Sequence, residues 1–156
     1  MQVRGFAHRD IKLDNICIDA HFNLKILDFG YAKAVKGVNN TGLVTTKAGT
    51  PMYMCPEIES GEAYKAIDAD LFATAVTLYV MKTRTYPWCR TLRNDESYQY
   101  WANHQTEEWW QSKLQTSSLS DSFVDLMNKT LAYDNFTRLS LADFAAHPWI
   151  KGPCMT

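Results

Sequence analysis

The sequence predicts a mainly α-helical fold that carries one small β-hairpin at its front edge. Three observations carry that reading. From Ile58 onward, apolar residues recur at helical spacing to the end of the chain. Near the start, "ICI" and "LKIL" are short apolar, β-branched runs on either side of the turn-forming "DAHFN". Between these regions lies "YAKAVKGVNNTGLVTTKAGTPMYMCPE", an irregular stretch rich in Gly, Asn and Thr. A loop that long inside a compact domain is usually functional.

The elements follow in order. "NICIDAHFNLKILDFG" contains the hairpin. "AIDADLFATAVTLYVMKT" is apolar nearly all round, which suits a central helix with others packed on it. "DESYQYWANHQ" and "DSFVDLMNKTLAY" have helical spacing, the second capped by Ser120 or Asp121. "SLADFAAHPWI" starts from a Ser140 cap and stops before Pro148. Trp101, Trp109 and Trp110 read as core packing rather than a binding box. His21, His104 and His147 have no partners at metal-ligand spacing.

Composition narrows the function classes. At 156 residues, 46% of them apolar and 13% aromatic, the chain fits one folded domain. Its 16 basic and 17 acidic residues form no basic stripe, so nucleic acid is not expected as a partner. The longest apolar stretch, Leu71 to Met81, is too short to span a bilayer. Cys17, Cys55, Cys89 and Cys154 lie far apart, with neither zinc nor disulfide spacing, which suits a reducing compartment. Sequons begin at Asn39, Asn128 and Asn135 but matter only in a secreted chain, and no signal region is visible. The expected location is the cytoplasm, with the nucleus left open.

Three motifs occur in a fixed order: "HRDIKLDN" at residues 8–15, "DFG" at residues 28–30, and "GTPMYMCPE" ending at Glu57. Together with the helical tail they resemble the C-terminal lobe of a eukaryotic protein kinase of the Ser/Thr type. The resemblance covers nearly the whole chain, as a partial kinase domain over residues 1–152. It divides into a catalytic loop (8–15), an activation segment (28–57) and a helical subdomain (58–150), with a tail at 153–156. "YPWC", "DESYQYW" and "EEWW" resemble, more distantly, the calcium/calmodulin- and AMP-activated-type kinases.

The resemblance implies a role for each site residue. Phosphoryl transfer spreads negative charge over the moving group, so positioning and charge neutralisation dominate its catalysis. Asp10 takes the place of the carboxylate that accepts or orients the substrate hydroxyl. Lys12 matches the lysine that contacts the transferred phosphate. Asn15 and Asp28 match the oxygen ligands of Mg2+, and Cys17 lies on the strand beside the bound ATP. The plain alternative is that Asp10 and Asn15 cap a turn and Asp28 is a loop acid. Arg9, next to Asp10, fits a kinase switched by phosphate on its activation segment, since a buried arginine there needs an anion. Among Thr41, Thr45, Thr46 and Thr50, Thr46 stands eleven residues before Glu57, where the main phosphosite often lies. Thr50 matches the residue that contacts the catalytic Asp. Glu57 and Arg138 are expected to form a buried ion pair, and Asp70 to hold the catalytic loop through its backbone amides.

The sequence also departs from the family. "CPE" replaces "APE", Ala75 replaces a glycine of the central helix, and "YDNFTR" lacks a common proline. No glycine-rich loop, strand lysine or partner glutamate precedes "HRD", so the N-terminal lobe is expected to be absent and the chain a fragment. His8, Phe29 and the strand around Cys17 would then form an exposed apolar patch. Two functions follow. One is an enzyme that transfers the ATP γ-phosphate to protein Ser/Thr hydroxyls, with an upstream activating kinase as a further partner. The other is an inactive lobe-only module that binds kinase substrates or regulators.

Overall fold

A computed structural model describes residues 5–36, 41–113 and 119–152. The described strands pair into three two-stranded antiparallel ladders. β1 (Phe6–Ala7) joins β4 (Lys33–Ala34), β2 (Ile16–Ile18) joins β3 (Leu24–Ile26), and β5 (Leu43–Val44) joins β6 (Tyr64–Lys65). Only the β2–β3 hairpin was expected. Strands of two residues cannot show a period-2 pattern, so the other ladders leave no signal in the sequence. They nonetheless organise the activation segment. β4 ties its start to the catalytic loop, and β5 ties its middle to the approach of the central helix.

The helices are α1 (Pro56–Ser60), α2 (Ala66–Thr83), α3 (Tyr98–Ala102), α4 (Thr106–Lys113), α5 (Asp121–Thr130), α6 (Leu141–Ala146) and α7 (Pro148–Lys151). The central helix spans the stretch expected for it. It packs against α5, β1 and β6, and Phe72, Ala75 and Val76 on it are sealed from water. Its polar side chains are satisfied locally: Thr74 and Thr77 donate to the carbonyls of Asp70 and Ala73, at 2.7 and 2.8 Å. Asp70 is thereby left as the carboxylate that α2 aims at the catalytic loop.

Caps explain the other boundaries. The Ser120 hydroxyl accepts from Phe123 N, and Ser140 accepts from Asp143 N. His147 is extended ahead of Pro148, which ends α6 and starts α7. The helix expected over 95–105 shrinks to α3, because the Asp95 carboxylate is spent as a hub. One oxygen accepts the amides of Ser97 and Tyr98, the other those of Cys89 and Arg90. In "YDNFTR", Asp134 accepts from Phe136 N at 2.9 Å and so supplies the turn that a proline would have fixed.

Trp101, Trp109 and Trp110 are core residues. Trp109 packs edge-on against both of the others, with ring centroids 5.4 Å and 4.7 Å away, and Trp88 joins at 5.7 Å from Trp101. No described helix is long and apolar enough to cross a membrane.

Candidate active site

The catalytic loop is bent by a backbone conformation that side chains disfavour. Arg9 has φ of 69°, in the left-handed region. Asp70 holds it there: its two carboxylate oxygens accept the amides of His8 and Arg9 at 2.6 and 2.7 Å. Burial pushes the Asp70 carboxyl up, and the two amides offset only part of that rise.

His8 corrects an expectation. It is completely buried rather than part of an exposed patch. Its Nδ1 accepts the Asp10 amide at 3.2 Å, which assigns the ring proton to Nε2, and Nε2 donates to the Leu27 carbonyl at 2.8 Å. The Leu27 amide in turn donates to the Asn15 carbonyl at 2.8 Å. Both backbone groups of Leu27 thus clamp the Asp28–Gly30 turn to the catalytic loop. Phe29 stays 53% exposed, edge-on to the His8 ring, and Cys17 is exposed on β2 opposite Lys25.

Asp10, Lys12 and Thr50 close a triangle. Lys12 Nζ lies 3.1 Å from one Asp10 oxygen and donates to Thr50 Oγ1 at 2.8 Å, and Thr50 Oγ1 donates to the other Asp10 oxygen at 2.8 Å. Burial pushes the Asp10 carboxyl up, but the bonds from Thr50 and Lys12 and the Lys12 charge outweigh it. The carboxyl therefore sits below its usual range. Gly49 permits the approach. It has φ of 109°, and a Cβ there would fall 2.6 Å from the Arg9 carbonyl oxygen.

Asn15 directly precedes β2 and Asp28 follows β3 by two residues, so both flank the open end of the hairpin. The Asn15 amide nitrogen donates to the Asp10 carbonyl at 2.9 Å and to its carboxylate at 3.2 Å, which fixes the side chain. Its Oδ1 accepts no hydrogen bond from the described residues, although Asn15 is only 8% exposed. Asp28 has φ of 57° and accepts Gly30 N at 3.1 Å through one oxygen. A fixed, unspent amide oxygen near an exposed carboxylate is a hard-donor pair that fits Mg2+. No group of three or more His, Cys, Asp or Glu residues suited to a metal occurs among the described residues. Further ligands would therefore be water or phosphate oxygens.

Arg9 is half-buried and reaches the activation segment. Its Nη2 donates to the Thr46 carbonyl and hydroxyl at 2.5 and 2.8 Å, and its Nε and Nη2 donate to the Tyr64 hydroxyl at 3.1 and 2.8 Å. Tyr64 passes the contact on to the Thr46 carbonyl at 2.9 Å. Thr41 and Thr45 are exposed on the same segment, and Asn39, where that sequon begins, and the 153–156 tail lie outside the described residues. Glu57 and Arg138 form a bidentate pair at 2.8 and 3.1 Å, with both side chains under 10% exposed. Beside them the buried thiol of Cys55 is pushed up by burial and by the Glu57 charge.

Tyr64, Gly49 and Glu59 were missed in the sequence. Gly49, directly before Thr50, carried a signal in its position. Tyr64 and Glu59 carried none, since their partners are distant in the chain. The Glu59 side chain is buried and bonds Lys47 and Arg90, the latter at 2.9 and 2.7 Å. Burial pushes the Glu59 carboxyl up, but the two cations more than offset it and leave it below its usual range.

A carboxylate held by lysine and threonine, next to an amide and an aspartate that can share a metal, is the layout of a phosphotransferase site. The protein kinase domain family matches residues 1–150. The chain is 34% identical to the serine/threonine-protein kinase grp of Drosophila melanogaster and to the serine/threonine-protein kinase CHK1 of Saccharomyces cerevisiae. Each match covers 94% of this chain and 28% of the relative. A third relative, the probable serine/threonine-protein kinase MARK-B of Dictyostelium discoideum, is 32% identical over 93% of the chain and 19% of its own length. The chain belongs to the eukaryotic protein kinase family, on its serine/threonine branch. It spans less than a third of the length of these relatives.

Proposed function

We propose that this chain is the helical, C-terminal lobe of a serine/threonine protein kinase, which transfers the γ-phosphate of ATP to hydroxyls of a protein substrate. The observation that best supports this is the closed Asp10–Lys12–Thr50 triangle beside the unspent oxygen of Asn15. Asp10 accepts a hydrogen bond from the substrate hydroxyl and aims it at the phosphorus. With its carboxyl below the usual range it is a weak base, so orientation outweighs proton removal in its contribution. Lys12, 21% exposed, meets the negative charge on the moving phosphoryl group. Asn15 and Asp28 hold Mg2+, which when bound neutralises charge on the β- and γ-phosphates. Cys17 borders the nucleotide.

Arg9 and Thr46 form the regulatory contact in this reading. A phosphate on Thr46 would replace its neutral hydroxyl with charged oxygens within reach of the same guanidinium, and an upstream kinase would supply it. The expected setting is the cytoplasm, and neither nucleic acid nor membrane has a place in the reading. Asp10 borders a recess of about 10 Å3, too small for a nucleotide. In this reading a second lobe walls the nucleotide site.

One observation favours the second reading, a lobe that binds partners without catalysis. Ile18 and Leu24, paired across the hairpin, are 64% and 60% exposed, and Phe22 at its turn is 89% exposed. Such a face can dock a partner as well as a second lobe. Phosphate transfer from Mg·ATP to Ser/Thr peptides by the full-length gene product decides between them. The expected result is transfer that falls about 10²–10⁴-fold in Asp10→Asn and is lost in Asp28→Ala. An absence of transfer by folded protein, or transfer indifferent to both substitutions, would overturn the enzyme reading.

A further inference from the structure

We infer that Lys47 and Arg90, both held by the buried Glu59, form a cationic ledge that selects protein substrates with an acidic side chain one to three residues from the acceptor hydroxyl. The inference rests on Asp10 marking the place of that hydroxyl.

The charge count is the first argument. Glu59 has a fully buried side chain, while Lys47 and Arg90 are 45% and 47% exposed. A buried carboxylate needs one cation for neutrality, and this one has two, so the cluster carries a surplus positive charge at the surface. Neither cation has exhausted its donors. Lys47 spends one contact on Glu59, and the Arg90 side chain spends two of its five N–H groups there. Because Glu59 fixes both heads, much of the side-chain entropy lost on meeting an anion has already been given up.

Of the neighbouring charges, Asp95, on the same loop as Arg90, is itself an anion, but its oxygens are turned to four backbone amides rather than to Lys47 or the Arg90 guanidinium. Glu57 is paired with Arg138 and Asp10 with Lys12. Arg9, bonded to Thr46 one residue before Lys47, adds positive charge.

Position is the second argument. Lys47 precedes by three residues Thr50, whose hydroxyl bonds Asp10. An extended chain advances about 3.3–3.6 Å per residue, which keeps the Lys47 Cα within about 11 Å of the Thr50 Cα. A substrate peptide advances at the same rate, so it meets the ledge within three residues of its acceptor. Thr91 donates to the Met54 carbonyl at 2.9 Å and holds the Arg90 loop against the activation segment. A clasp that served only to stabilise the segment would be complete with one cation.

The test is binding of fluorescent Ser-centred peptides, each with Asp or Ala at one position up to three residues from the Ser, read by anisotropy without nucleotide. At one position or more, the Asp peptide should bind at least about fivefold tighter. That advantage should fade with added salt, disappear in Lys47→Met and Arg90→Met, and survive in Lys47→Arg. Each methionine variant leaves Glu59 one cation, and a thermal melt verifies folding. Equal binding of Asp and Ala peptides at every position, including no measurable binding, overturns the inference, as does an advantage that persists in both methionine variants. Acid preference without phosphate transfer would defeat the kinase reading alone. Transfer with no acid preference would defeat the ledge alone.

Discussion

Around Trp101 and Trp109 the rings are sealed from water, whereas across the hairpin Ile18, Leu24 and Phe22 stand well over half exposed. The two regions are held by different forces. The helical core gains from buried apolar area, which is non-directional and tolerant of exact geometry. Its indole N–H groups at Trp88, Trp101 and Trp109 have no hydrogen-bond partner among the described residues, so ring packing is what positions them there. The catalytic edge is held by directed polar contacts and includes three non-glycine residues, Arg9, Phe22 and Asp28, in the left-handed region. Strain of this kind persists only where surrounding contacts over-determine it. Asp70 provides that support from the core, and the Glu57–Arg138 pair ties down the end of the activation segment. The central helix, through Asp70, positions the site.

The strongest way to break the comparison is within the core. Trp101→Ala should cost about 3–5 kcal/mol in denaturant unfolding, because the cavity cannot collapse among neighbouring rings. A loss below about 1 kcal/mol would mean that the aromatic cluster is not what stabilises the fold. Next comes the junction: Arg138→Met should cost about 3 kcal/mol by leaving Glu57 buried and unpaired. Adding Glu57→Leu should recover most of that, and failure to recover would assign the cost to lost packing of Arg138 over Phe72 instead.

At the edge, Gly49→Ala should add about 1–3 kcal/mol of local strain, since its Cβ meets the Arg9 carbonyl. Hydrogen exchange over 43–50 should accelerate while the amides of α2 keep their protection. Uniform acceleration across both would show that the edge and the core unfold together. The smallest effect is expected for Ile18→Ser with Leu24→Ser. Stability should change by no more than about 0.5 kcal/mol, because these side chains are exposed. In the full-length product, Mg·ATP affinity should nonetheless fall if a second lobe packs there. Unchanged affinity would remove the hairpin from the nucleotide site.

The local elements are written along the chain. The apolar run of 66–83 specifies a buried helix, Ser120 and Ser140 supply caps, and "ICI" with "LKIL" specifies a hairpin, because each signal lies within a few residues of what it forms. The sequence also makes Asp10, Lys12, Asn15 and Asp28 legible as a motif, since their spacing is local. Contacts between distant parts of the chain come from its packing. Arg90 reaches Glu59 across 31 positions and Tyr64 reaches Arg9 across 55, whereas the Asp70–Arg9 and Glu57–Arg138 contacts, across 61 and 81, were legible only through the family resemblance. The burial of His8 and the two short ladders that frame the activation segment belong to the same class. Such contacts are chosen by which surfaces the packed helices bring together, and no periodicity or spacing along the chain encodes that choice.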